Sequence, residues 1–152
     1  MAIRSILLLA LCSSLVMSEP ALAASRTFVQ SGACSQSRFG REAIDCRKII
    51  IHLGDANRMI VEAHGHASGM TLEGTFAPFA KPGSGGILTL RSVTDSAGND
   101  ELPAKGRCLW RMNETLGKIQ DVICRATFKG GNATVHFKGD GSAFEVKPGP
   151  EL

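Results

Sequence analysis

The sequence predicts an all-β fold, a small disulfide-stapled sandwich or barrel built from two similar halves. Three observations predict it. Outside its first 23 residues the chain carries four cysteines, an even number. A pattern of Cys, Gly-bearing loop, Cys-Arg and β-rich run occurs twice, over 31–68 and again over 106–142. Short β-branched runs are punctuated by Gly, Asn and Pro, and no window sustains a 3.6-residue apolar period of helix length.

The N-terminus reads as a secretory signal peptide over 1–23. Arg4 supplies the positive end, Ile6 to Met17 the apolar stretch, and Ala21-Leu22-Ala23 a small-x-small cleavage site of bacterial style. The stretch is too short for a spanning helix, and no other run in the chain is apolar enough to cross a bilayer. Cys12 does not make a lipoprotein signal, because Leu11 stands where a small residue is needed. Residues 24–152 then form one β domain, with repeat units at about 28–76 and 105–146.

Strands follow in order from β-branched content and alternation. Cys46–Leu53 is the first, and Gly54-Asp55-Ala56-Asn57 turns the chain into Arg58–His66. Met70–Phe76 comes next, then a joining loop over 77–86. Ile87–Val93 alternates as a half-buried strand, with Ile87, Thr89, Arg91 and Val93 on one side. A polar turn over 94–102 leads to strands at Lys105–Met112, Lys118–Phe128, Ala133–Lys138 and Ala143–Val146. The stretch Ser37–Ile44 has room for one helical turn. The two halves are expected to pack about an approximate two-fold axis.

The cysteines predict two hairpin staples, Cys34–Cys46 and Cys108–Cys124. The midpoints fall on Gly40 and on Leu116 beside Gly117, both turn-like, and each pair has even spacing. Directly opposed hairpin residues around a single-residue midpoint share that parity, so the two side chains reach one face. In the second register Trp110 stands opposite Val122, on the face of the disulfide. The only Trp therefore reads as core, sealing the staple from water. Each short loop contributes about 3 kcal/mol in the chain-entropy account. No Cys-x-x-Cys spacing offers zinc instead.

Charge narrows the partners. Without Arg4 and Glu19, 16 basic and 13 acidic side chains remain, still +3, and they show no basic stripe along the chain. Nucleic-acid binding, which needs a clustered footprint, is not expected. Catalytic signatures are missing as well. The chain has no Gly-x-Ser-x-Gly and no His-Glu-x-x-His, and both staples leave no free thiol beyond residue 23. The sequence predicts no enzyme.

The sharpest local candidate is His64-Gly65-His66. On a strand the two imidazoles project to one face, roughly 7 Å apart, with Glu62 beside them. Two imidazoles and a third donor suit copper or zinc, and His52, Asp55 and Met70 are the candidates for further ligands. An even loop at 54–57 puts His52 on the opposite face and an odd one puts it alongside. The second unit has Lys138 and Asp140 at the matching places, so the His pair lies outside the structural logic of the repeat. Asp95 to Glu101 concentrates oxygen ligands but lacks calcium-loop spacing, and reads as a solvated turn. Gly139-Asp140-Gly141-Ser142 is also a turn. Phe39 and Phe79, in loops, are the apolar side chains expected at the surface for binding.

The openings with Phe28, Ser31, Cys34 and Cys46, and the later Asp140-Gly141-Ser142, resemble the cyanovirin-type lectins. That family folds two disulfide-bearing repeats into one β domain and binds mannose-rich glycans. The family's Ile-x-Asn-x-[Asp/Asn]-Gly-x-Leu segment is missing from the first unit and only hinted at by Gly139-Asp140-Gly141 in the second. The resemblance carries no site residues across.

The functional expectation is a periplasmic or secreted, non-catalytic binding or inhibitory module with a protein or glycan partner. A copper- or zinc-binding protein using His64 and His66, and a lectin-like glycan binder, are its alternatives.

Overall fold

The computed structural model describes residues 25–95, 97, 98, 100–150 and 152. The expected signal segment lies outside them. Eleven strands are described: β1 Arg26–Cys34, β2 Arg38–Phe39, β3 Glu42–Ala43, β4 Cys46–Leu53, β5 Arg58–Gly65, β6 Gly69–Pro78, β7 Gly85–Asp95, β8 Leu102–Asn113, β9 Lys118–Phe128, β10 Gly131–Gly139 and β11 Glu145–Pro148. A single 3₁₀ turn at Asp55–Asn57 joins β4 to β5.

Of sandwich and barrel, the chain forms the barrel. From β4 to β10 each strand pairs antiparallel with the next, and β1 pairs with β4 on one side and with β10 on the other. Eight strands thus close on themselves. The remaining short strands extend this ring. β11 runs on along β1 where β10 leaves it, with Arg26 opposite Pro148 and Val29 opposite Glu145. The β2–β3 hairpin runs on along β10 where β1 leaves it, with Phe39 opposite Ala133.

Alternation explains the core. Along β9 and β10, Val122, Cys124, Ala126, Ala133, Val135 and Phe137 are buried, as their period of two requires. They meet Phe28, Ile49, Ile51, Met59, Val61, Leu72, Leu88 and Trp110 from the other strands. Each large side chain so buried contributes about 1.5–3 kcal/mol. An eight-stranded barrel is just wide enough for side chains to fill it, and here they do. Charged side chains stand on the outside, the inverse of a membrane barrel, whose apolar band faces outwards. Among the described residues no helix is long and apolar enough to cross a membrane.

Both disulfides join neighbouring strands. Cys34–Cys46 ties the end of β1 to the start of β4, and Cys108–Cys124 spans β8 and β9 at directly opposed positions. Trp110 is opposite Val122 in that register, 2% exposed, with ring centroids 5.8 Å from Phe28 and 5.6 Å from Phe76. Its Nε1 is buried with no hydrogen-bond partner.

The structure corrects four expectations. No two-fold relates the Cys-bearing units. The first begins on β1 and the second on β8, five places on around the ring, so they start in opposite directions. A two-fold along the barrel axis needs four places, and a perpendicular one reverses the order of succession. Arg26–Cys34 is a strand the sequence reading passed over. Ser37–Ile44 holds the β2–β3 hairpin rather than a helical turn, with Gly40 at φ 60° in its bend. Val93 is buried, because a register shift between Leu90 and Ser92 moves it from the outward to the inward set.

The closing seam is specific. Gly32 faces Gly139 across it, and a Cβ on Gly32 would come within 2.2 Å of the Lys138 carbonyl oxygen. Beside it Gln30, 1% exposed, is a hydrogen-bond hub. Its Nε2 donates to Ser142 Oγ at 3.0 Å and Asp140 Oδ1 at 3.3 Å, and its Oε1 accepts from Ile119 N–H at 3.2 Å. The Gly-Asp-Gly-Ser turn is thus part of the barrel closure.

Candidate functional site

The Cys108–Cys124 register fixes what lies on the outer wall. Counting one residue outward from each cysteine puts Arg107 directly opposite Arg125. The row continues sideways, with Thr89 opposite Arg107, Thr134 opposite Arg125, and Arg38 opposite Thr134. The three arginines are exposed. Among the described residues none has an acidic partner within 4.0 Å, whereas Arg111 on the same wall is paired to Asp121 and Arg58 and Arg91 share Glu73. Directly opposed side chains on a sheet have Cβ atoms about 4.5–5.5 Å apart, so like charges there repel. Lys105, opposite Thr127, lies one step along β8 on the same face and likewise has no ion pair among the described residues.

The row runs into a cleft. The β2–β3 hairpin, paired to β10, borders an open space of about 700 Å³, lined in part by Gln36, Arg38, Asp45, Arg125, Thr134 and His136. The hairpin is held in place by polar bonds: Thr134 Oγ1 donates to the Gln36 carbonyl at 3.1 Å, and His136 N–H donates to Ser37 Oγ at 2.9 Å. Cys34–Cys46 closes the base of the same excursion. The cleft is therefore built on two staples and one ladder, with Arg38 on its hairpin side and Arg125 on its barrel side.

Of the histidines expected from the sequence, the structure brings His52 and His64 together on Glu62 and leaves His66 apart. Ile60 pairs with His52 and Glu62 with Ile50, so the turn is odd and His52 shares the outer face with Glu62 and His64. The Glu62 carboxylate accepts from His52 Nε2 at 3.0 Å and from His64 Nε2 at 2.6 Å. His52 Nδ1 lies 2.8 Å from Thr27 Oγ1. The order hydroxyl, imidazole, carboxylate suggests a nucleophile relay, but Thr27 is 6% exposed and closed to a substrate. His66 falls beyond the end of β5, in an exposed turn. Among the described residues no three His, Cys, Asp or Glu side chains are grouped to hold a metal ion.

The two phenylalanines are not loose surface anchors. Phe39 stacks on Phe128, ring centroids 4.8 Å apart, and is partly buried against the core. Phe79 is half-buried beside the 79–84 loop. In the 95–101 turn, Asp95 Oδ1 accepts from Ala97 N–H at 3.1 Å, a local turn bond.

The arginine row was not among the residues singled out from the sequence. The signal was present: once Cys108 is paired with Cys124, Arg107 and Arg125 must face each other. Charges counted along the chain look scattered, while counted across strands they form a stripe. Comparison adds nothing to this geometry, since the chain matches no family model, no curated protein and no solved structure.

Proposed function

We propose that the protein is a non-catalytic binding module of the periplasm or the secreted space, which engages an anionic macromolecule at the arginine row and the adjoining cleft. The observation that carries this reading is the placement of Arg107 opposite Arg125, with Arg38 two strands on and, among the described residues, no acidic side chain within 4.0 Å of any of them, Asp45 being the one acid that lines the cleft. Such a row is a cost to the fold that a bound anion relieves. The filled interior supports it too, because a barrel packed with side chains leaves no internal room for a ligand. Two disulfides suit an oxidising compartment.

The test is capture from periplasmic and secreted fractions by the mature protein and by an Arg107→Thr/Arg125→Thr variant. The reading expects a retained species that is released by salt and lost in the variant. Equal retention by both proteins contradicts it.

A further inference from the structure

We infer that the anionic macromolecule is an acidic polysaccharide, an inference that rests on the binding site proposed above. The outer face of β7 to β10 interleaves cations with small hydrogen-bonding side chains. Thr89, Arg107, Arg125, Thr134 and Arg38 form one row, and Lys105, Thr127 and Asn132 the next. Guanidinium groups take carboxylate or sulfate oxygens in bidentate fashion. Threonine hydroxyls and the Asn132 amide supply the donors and acceptors that sugar hydroxyls require. Strands about 4.8 Å apart carry the row across the wall, so an extended chain lies over several strands and ends in the cleft.

Two other polyanions fit less well. Single-stranded nucleic acid is held by stacking its bases on aromatic side chains, and no Phe or Trp stands among the outward positions of β7 to β10. A protein partner needs a desolvated apolar or aromatic anchor at the centre of the contact. The neighbouring row offers Ile87, Leu109 and Ile123, of which only Ile87 is exposed, at 37%, and the other two are half-buried. A row of cations and hydroxyls without aromatic stacking, flanked by apolar side chains of which only Ile87 is exposed, matches a charged sugar polymer.

The experiment titrates the full mature protein, with both disulfides formed, against polygalacturonate, heparin, neutral dextran and single-stranded oligothymidylate. Binding of polygalacturonate or heparin is expected, weakening with salt, with dextran silent and oligothymidylate at least about tenfold weaker. Arg107→Thr/Arg125→Thr is expected to weaken polysaccharide binding by about tenfold or more without lowering the thermal midpoint, and Arg38→Ala to weaken it less. Oligothymidylate binding as tightly as polysaccharide overturns the assignment, as does polysaccharide binding that survives the double substitution. Should both polysaccharides fail while the double variant still loses its partner from the periplasmic fraction, the polysaccharide class falls and the binding site stands. Should the variant keep that partner as well, both fall.

Discussion

Arg107 and Arg125 face each other across β8 and β9 with no acidic side chain among the described residues within 4.0 Å of either. The same register puts Cys108 and Cys124 one step away on the inner face, covalently joined. The disulfide holds at fixed separation two charges that repel.

The opposed charges make function and stability separable. Arg125→Thr removes the repulsion and keeps a strand-forming residue, so it is expected to leave the urea midpoint unchanged or raise it slightly, within about 1 kcal/mol. The same substitution weakens anion binding. A loss of stability of more than 1 kcal/mol instead points to Arg125 as a structural residue.

Gln30 is the hub of the barrel seam. Gln30→Leu leaves the buried Ile119 N–H without its partner, while the exposed Ser142 hydroxyl keeps its bond to Asp140, and is expected to cost about 1–3 kcal/mol in equilibrium unfolding. Gly32→Ala at the same seam meets the Lys138 carbonyl and is expected to cost a similar amount. Near-neutral results for both would show that the β1–β10 closure contributes little.

Acid stability carries a sign. Burial alone would raise the Glu73 pKa, but hydrogen bonds from Arg58 and Arg91 outweigh it and hold the carboxyl below its usual value. A folded pKa below the unfolded one gives stability that is full above the unfolded pKa and lost as pH falls through the folded value. Asp140 shifts the same way, through the Ser142 hydroxyl and backbone N–H, with Gln30 adding to it. Glu73→Gln is therefore expected to lower stability at neutral pH and to flatten the acid limb of a stability-against-pH curve. Parallel acid limbs for the two proteins contradict this.

Each staple closes a short loop, and removing either as a double Cys→Ala change is expected to cost about 2–4 kcal/mol. Trp110 fluorescence reports on the second staple, since the indole sits beside Cys108–Cys124 in the core. Non-reducing peptide mapping is expected to link residue 34 to 46 and 108 to 124. A peptide joining the two pairs contradicts the fold.

Much of the fold was legible because its determinants are local. The limits of β4 and β9 follow from β-branched content and turn residues, and the cysteine parity places Trp110 against Val122. β1 escaped because Gln30 occupies a core position, and a buried amide satisfied by residues about 110 away in sequence interrupts the apolar alternation. Barrel closure escaped for the same reason: Gly32 and Gly139 meet only once the whole meander has formed. His64 was legible on its strand with Glu62. His66 was not, since β5 ends at Gly65, where a Cβ would meet the Asp45 carbonyl. The arginine row needed the register, because each arginine taken alone is an ordinary surface charge.

The most direct test of the central claim is amide shift mapping by ¹⁵N NMR during titration with polygalacturonate. The account predicts shifts confined to Arg38, Arg107, Arg125, Thr134 and their neighbours, fading as salt is raised. Shifts centred on His52 to His66, or on the loop at 79–84, with the arginine row unmoved, would contradict it.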